Sequence, residues 1–336
     1  MIKITIGTPG ATDGTSYYRA AGPFNKLRKQ MPNLAIDYPA AFGWHDLKSA
    51  DIFFCQRPGS EDHLKILEQA KINQVPIWVD MDDDLIDVPM HNPAWEVFRD
   101  RNATVIRCLE LADVVTTATE MLAIKWRKYA KEVIVVPNAL DEDHLKGYDP
   151  ICRPVDRETI YWRGSNGHVK DIWQVQQDIV EIAKEFPKLR WQFHGYWPWH
   201  TFEALGKLKA DIKVDKIKTF EIPEYFNYFK KDSTHSIGIV PLEDIPWNQQ
   251  KSNIAWLENT LAGAVTLALS TDEFDKPGCR RYSGKGFKDG LLDIIALDDK
   301  SRKNHVQTSL EYIQEHLTLS VINKKRIEIV DSLLSK

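Results

Sequence analysis

Cysteine is scarce in this chain: Cys55, Cys108, Cys152 and Cys279 lie far apart among 336 residues, and no two form a CxxC pair. That spacing supplies neither a zinc cluster nor a disulfide framework, and it suits a reducing, cytoplasmic setting. Long apolar runs are missing as well. No stretch approaches the roughly 18 residues that cross a bilayer, and the opening "MIKITIGTPG" reads as a first strand without the layout of a signal peptide. Nor is there an excess of basic charge. The formal net charge is −4, so no global positive field advertises nucleic acid as a partner. Local basic clusters do stand at "NKLRKQ" (25–30), "KWRKYAK" (125–131) and "CRRYSGKGFK" (279–288), and a nucleic-acid substrate stays open. No feature specifies an oligomeric state.

What is present describes a soluble globular protein, with an apolar fraction of 43% and a charged fraction of 27%. The length is comfortable for two domains. Eleven tryptophans are many. Several lie in polar stretches, which suits sugar or base stacking, although packing is the commoner use.

Short β-branched or aromatic runs alternate with helical patterns. Strands are predicted at 2–7, 34–38, 50–56, 76–81, 113–118 and 133–138. Helices are predicted at 16–30, with a break at Gly22-Pro23, and at 60–73, 94–112 and 120–130. After an acid-, Pro- and Gly-rich pause the pattern restarts. Strands are expected at 159–165, 189–195, 216–221 and 236–242, with helices at 171–187 and 223–231, then the helix–strand pair "KSNIAWLENTLAGAVTLALS" (251–270) and two terminal helices. Near-continuous apolar strands spaced by helices imply parallel sheets covered on both faces. The expected architecture is α/β, with two Rossmann-like domains facing a central cleft. They would span 1–140 and 159–315, joined by 141–158, with a C-terminal helix at 316–336 packing back on the first domain.

Two strand–helix turns are suited to anions. In "YWRGSNGHVKD" (161–171), Gly164 and Gly167 allow close backbone approach, and His168 and Lys170 precede a helix. In "PWNQQKSN" (246–253), Lys251 is expected to open a helix capped by Ser252 or Asn253. A helix N-terminus presents unpaired N–H groups, so a diphosphate between the two turns is physically sensible, with Lys170 or Lys251 as counter-charge. Glu258 follows Lys251 by two helical turns on nearly the same face. Its neighbours are so apolar that a solvated glutamate is a poor explanation, since a buried carboxylate needs a partner. A vicinal diol such as a ribose would supply one.

These residues, in this order, resemble the GT-B glycosyltransferases of the large family-4 type, which are nucleotide-sugar-dependent and retaining. The resemblance rests on "ADVVTTATEMLAIKWRKYAKEVIVVPNALD" (112–141), "GSNGHVKD" (164–171), "HGYWP" (194–198) and "IGIVPLEDIPWNQQKSNIAWLENTLAGAVTLA" (237–268). It covers about residues 110–270. It implies a GT-B fold and a nucleoside-diphosphate-sugar donor, UDP-linked by expectation, held by Gly164, Ser165, His168, Lys170, Gly195, Gln250, Lys251, Ser252, Asn253 and Glu258. Glu258 is assigned to the ribose. Lys170 and the Lys251–Ser252 helix start are assigned to the diphosphate. Two positions depart from the family pattern: Gln250 replaces a glutamate that touches the transferred sugar, and Ser165 replaces an arginine for which Arg163 or Lys251 would substitute. The resemblance implies no metal or other cofactor.

The first half adds two candidates. "GTPGATDGTSYYR" (7–19) is a glycine-bearing loop in which Gly14, Thr15, Tyr18 or Arg19 would touch phosphate or acceptor. "WVDMDDDLIDVPMHNP" (78–93) places Asp82, Asp83 and Asp84 just past a strand end, where ligands collect. Three adjacent acids repel one another. The readings are acceptor contact, stabilisation of an oxocarbenium-like transition state, or a helix N-cap cluster. Asp82 and Asp83 join Lys170 and Lys251 as catalytic candidates. The acid loop and "YYR" also look like the compact glycosyltransferases of bacteriophages, some of which modify hydroxymethylated bases in DNA. The expected function is transfer of a sugar to a hydroxyl on such a base or on a glycan. The alternatives are a nucleotide-sugar epimerase and a non-catalytic nucleotide-sugar or DNA-binding protein of the same fold.

Overall fold

The computed structural model describes residues 1–7, 14–39, 47–152, 154–155, 158–196, 198–215, 222–231 and 236–335. Among them, two six-stranded sheets are formed. The first contains β1 (Ile2–Gly7), β2 (Leu34–Asp37), β3 (Ile52–Gln56), β4 (Ile77–Asp80), β5 (Val114–Thr117) and β6 (Val133–Val135) in the order β2-β1-β3-β4-β5-β6. The second contains β7 (Thr159–Gly164), β8 (Arg190–Gly195), β9 (Asp211–Asp215), β10 (Ile237–Val240), β11 (Val265–Leu269) and β12 (Arg280–Tyr282) in the order β12-β11-β10-β7-β8-β9. Every pairing is parallel. β3, β4, β5 and β11 are buried along their whole length, which is why their sequences read as near-continuous apolar runs. Strand order reverses between β1 and β3 and again between β7 and β10. Ligands of open α/β sheets bind at such switch points, beyond the carboxyl ends of the strands.

Several elements differ from the sequence-based expectation. The first helix does not break at Gly22-Pro23. It widens into a π-helical segment, Tyr17–Ala21, and continues as Gly22–Gln30 with the Gly22 N–H donating to Tyr17 O. Pro23 has no N–H to lose at the start of the new segment. The helix expected over 94–112 is split into Trp95–Phe98 and Asn102–Leu111. The helix expected over 171–187 is split into Val169–Trp173 and Gln176–Glu185. Residues 216–221, expected to be a strand, lie outside the described residues; the strand beside β8 is β9 at 211–215. Neither β9 nor the basic edge strand β12 stands out as an apolar run.

The C-terminal helix Leu319–Leu334 packs on the helix Gly22–Gln30, with Asn323 Nδ2 donating to Pro23 O and Gln30 Oε1, both at 3.0 Å. A backbone clasp brings it there: Leu140 N donates to Leu317 O at 2.8 Å, and Leu319 N to Leu140 O at 3.0 Å. One apolar core therefore runs from Ile4, Phe54 and Trp78 through Leu140 to Trp256 and Ile329. The opposite face of the first sheet, with Phe53, Val79, Val115 and Trp126, forms a core of its own.

Candidate active site

At the end of β7, Ser165 Oγ accepts from Gly167 N at 3.3 Å and starts the short 3-10 turn Asn166–His168. Next to it β8 ends on Gly195, whose φ is +88°, and a Cβ there would stand 2.7 Å from Gly164 O. Only glycine fits. His168 Nδ1 meets Asp171 Oδ2 at 2.8 Å, and Asp171 Oδ1 accepts from Glu243 N and Asn248 Nδ2, each at 2.8 Å. Asp171 thus ties this turn to the loop beyond β10. Lys170 lies 2.7 Å from Glu243 Oε1. The helix behind it, Val169–Trp173, has five residues, so its dipole adds little and Lys170 supplies most of the positive charge.

The second turn also differs from expectation. Lys251 does not open a helix: it lies between the short helix Pro246–Gln249 and the helix Ile254–Leu261, whose N-cap is Asn253. Asn253 makes no side-chain cap bond, and its buried Oδ1 has no hydrogen-bond partner among the described residues. The same holds for Gln250 Oε1. Glu258 is 2% exposed. Its Oε1 accepts from the Tyr18 hydroxyl at 2.9 Å and its Oε2 from the Tyr225 hydroxyl at 2.7 Å, while Arg163 pairs with Oε2. Burial, followed by the Glu258 charge, pushes both phenols well above their usual pKa and keeps them protonated donors.

Across the cleft, each acid of the 82–84 loop has its own cation. Arg57 holds Asp82 in two bonds, at 2.5 and 2.9 Å. Lys251 holds Asp83 at 2.8 and 3.0 Å and lies 3.4 Å from the centroid of the Trp247 ring. Lys125 holds Asp84 at 2.5 Å. Burial raises the Asp82 carboxyl above the ordinary range against the pull of Arg57. Burial acts on Asp83 too, but Lys251 and Arg57 together outweigh it and leave that carboxyl below the range. No helix begins at 82–84; Asp84 Oδ1 instead accepts from Ile86 N and Asp87 N within the loop. The N-cap reading is therefore replaced by one of charge pairing. The loop also reaches the other domain through Trp247 Nε1 to Asp84 O at 3.0 Å and Gln250 Nε2 to Asp84 Oδ2 at 3.2 Å.

Of the glycine-loop candidates, Gly14 and Thr15 begin a helical turn, and no described residue comes within 4 Å of where a Cβ on Gly14 would stand. Residues 8–13 of that loop lie outside the described residues. Tyr18 reaches Glu258. Arg19 does not face the cleft. It is 1% exposed and forks onto Asp80 at 3.0 and 2.7 Å, with further bonds to Val136 O and Asn138 Oδ1. Asn138 Nδ2 then donates to Ser252 Oγ at 2.9 Å. The pair is a brace whose far end reaches the second domain just before the helix Ile254–Leu261. Sequence reasoning passed over Asp80, Arg57, Tyr225 and Asp171. Asp80 carried a signal, as a lone acid ending the apolar run "IWVD"; the others stand in polar surroundings and carried none.

Two parallel Rossmann-like sheets, meeting across a cleft at their switch points, define the GT-B architecture of the nucleotide-sugar glycosyltransferases. The solved structures it is similar to have that architecture. An α-glucosyltransferase in complex with UDP-glucose and DNA containing an abasic site superimposes with a TM-score of 0.68 at 12% identity, over 98% of this chain and 99% of that one. TarM gives 0.61 at 11% identity over 84% and 55% of the two chains. The α,α-trehalose 6-phosphate synthase of Burkholderia multivorans gives 0.60 at 11% identity over 85% and 72%. No protein-family model matches the chain, and no curated protein sequence does either.

Proposed function

We propose that this protein is a glycosyltransferase that moves a sugar from a UDP-linked donor to the hydroxyl of a hydroxymethylated DNA base. One observation carries the reading: Lys251, Ser252, Glu258 and the Gly164–His168 turn gather at the switch point of the second sheet, opposite a loop of acids at the strand ends of the first. In this reading Glu258 accepts from a ribose hydroxyl. Lys251 and Lys170 receive the diphosphate and stabilise the charge it gains as the glycosidic bond breaks. They provide the positive charge that a divalent metal would otherwise supply. Gln250 presents a carboxamide to the transferred sugar at the position where an epimerase would need a carboxylate of the second domain. Asp82 is assigned to the acceptor hydroxyl, since Asp83 and Asp84 are tied to the other domain. Transfer with retention follows the family-4 likeness. The choice of DNA is supported by the near whole-chain match to an α-glucosyltransferase bound to UDP-glucose and DNA. Nucleotide sugars and DNA meet in the cytoplasm, which accords with the free thiols; no described helix is long and apolar enough to cross a membrane.

The test is a panel of nucleotide sugars offered with hydroxymethylated duplex, unmodified duplex and simple glycans, read by product mass. The expected result is a hexose or pentose added to the hydroxymethylated duplex alone. Addition to glycans alone would move the acceptor to that class. A melting shift with UDP and no consumption of any UDP-sugar would indicate a binding protein that has kept the fold.

A further inference from the structure

The groups assigned to the donor are already occupied, and two of their partners come from the opposite domain. Tyr18 places a hydroxyl on Glu258 Oε1 at 2.9 Å, the bond a ribose hydroxyl would make. Asp83 places both carboxylate oxygens on Lys251 Nζ, at 2.8 and 3.0 Å, the bonds a diphosphate would make. A neutral hydroxyl thus faces the carboxylate and an anion faces the ammonium, within one segment of the second domain. These are the two polar ends of a nucleoside diphosphate.

The remaining contacts show that both partners can leave without stranding a buried charge. Glu258 keeps Arg163 and Tyr225 on Oε2, both from its own domain. Asp83 keeps Arg57, 3.6 Å away and also from its own domain. Lys251 keeps the face of Trp247. Breaking a buried pair is costly when one charge is left alone, and here neither is.

We propose that Tyr18 and Asp83 act as a built-in mimic of the donor, a two-point latch that closes the cleft in the absence of nucleotide sugar and is displaced by the ribose and the diphosphate when the donor binds. The proposal rests on the donor-site reading above. It has a direct thermodynamic consequence. The apparent dissociation constant is the intrinsic one divided by the fraction of molecules whose latch is open. Weakening the latch therefore tightens nucleotide binding.

Titration calorimetry with UDP and with uridine tests this on the full chain. The variants are Asp83→Asn, Tyr18→Phe, Lys251→Ala and Glu258→Ala. The first two preserve side-chain shape, and circular dichroism without ligand checks that they fold. Asp83→Asn should bind UDP roughly two- to fivefold more tightly than the parent, the gain expected from losing one competing, partly exposed ion pair. Tyr18→Phe should bind both UDP and uridine more tightly. Lys251→Ala and Glu258→Ala should bind UDP more weakly. If Asp83→Asn and Tyr18→Phe bind UDP no better than the parent while the other two lose it, the latch is wrong and the donor site stands. Lys251→Ala releases the same latch contact as Asp83→Asn, and Glu258→Ala the same one as Tyr18→Phe, so if each binds UDP as tightly as its matched variant, the donor site falls and the latch with it.

Discussion

Glu258 is a carboxylate in a helix whose neighbours Trp256, Leu257 and Leu261 are all buried, and its side chain is tolerated there because two hydroxyls and a guanidinium satisfy it. A ribose would use that same acceptor capacity. Glu258→Ala and Glu258→Gln should both weaken nucleotide binding by roughly 1.5–3 kcal/mol, the range for a hydrogen bond to a charged group, and calorimetry with UDP, GDP and ADP will show it. Glu258→Ala should also lower the melting temperature, since Arg163 is left without its carboxylate; Glu258→Gln should lower it less. Asp82 belongs to the other half of the reaction. Asp82→Asn should abolish sugar transfer and leave UDP affinity unchanged, because its partner Arg57 and its loop belong to the first domain. A loss of UDP affinity in that variant would place Asp82 at the donor instead.

Among the elements, the junction after β6 is more tightly held than its acid-rich composition suggests. Lys26 is enclosed by Asp141, Glu142 and Asp143 at 3.1, 2.9 and 3.0 Å, so this residue, which a basic-flank reading would offer to nucleic acid, is spent on the linker. Close by, His144 stacks on Phe226 with ring centroids 3.9 Å apart and bonds the Tyr17 hydroxyl at 2.9 Å. Burial there pushes its pKa down to about 4, against the opposing pull of Asp141. An unfolded histidine titrates near ~6.5. Between these values the unfolded chain binds a proton that the folded chain refuses. Stability is therefore full above the unfolded value and is lost as pH falls toward the folded one. Melting temperatures recorded from pH 7.5 to 4.5 should fall across this window, and His144→Phe should flatten that part of the curve. An unchanged slope would show that other groups govern it.

At the scale of the whole molecule, the two domains are joined across the cleft by side chains of the loops and helices beyond the strand ends, and little free basic surface remains at the first helix. Arg19 is braced on Asp80 and Lys26 is caged, which leaves Arg28 and Lys29 exposed on that flank. If DNA is the acceptor, these residues and others still have to meet phosphate, and affinity for a hydroxymethylated oligonucleotide should drop steeply between low and high salt as counterions are released. UDP binding in the same buffers sets the baseline. Salt-insensitive or absent oligonucleotide binding, with UDP binding intact, would exclude DNA and favour a glycan.

Ten of the twelve described strands, the glycine turn at the end of β7 and the burial of Glu258 in its helix were legible in the sequence, because each depends on the chain within a few residues of itself; the edge strands β9 and β12 and the non-helical place of Lys251 were not. Buried strands must be apolar throughout, a close backbone approach needs glycine, and helical pitch sets which positions share a face. The π-helical widening at Tyr17–Ala21, which the sequence suggested as a break at Gly22-Pro23, and the interruption at Arg99–Arg101 were harder to read, since they turn on how a helix meets its neighbours. What only the tertiary structure decided is which charge meets which. Three adjacent aspartates offer the same chemistry on paper, yet Asp82 goes to Arg57, Asp84 to Lys125, and Asp83 crosses the cleft to a lysine 168 residues away. Coulomb attraction is indifferent to sequence separation and falls off with distance, so the first two pairings exist only once the first domain has folded, and the third only once the two domains have been brought together.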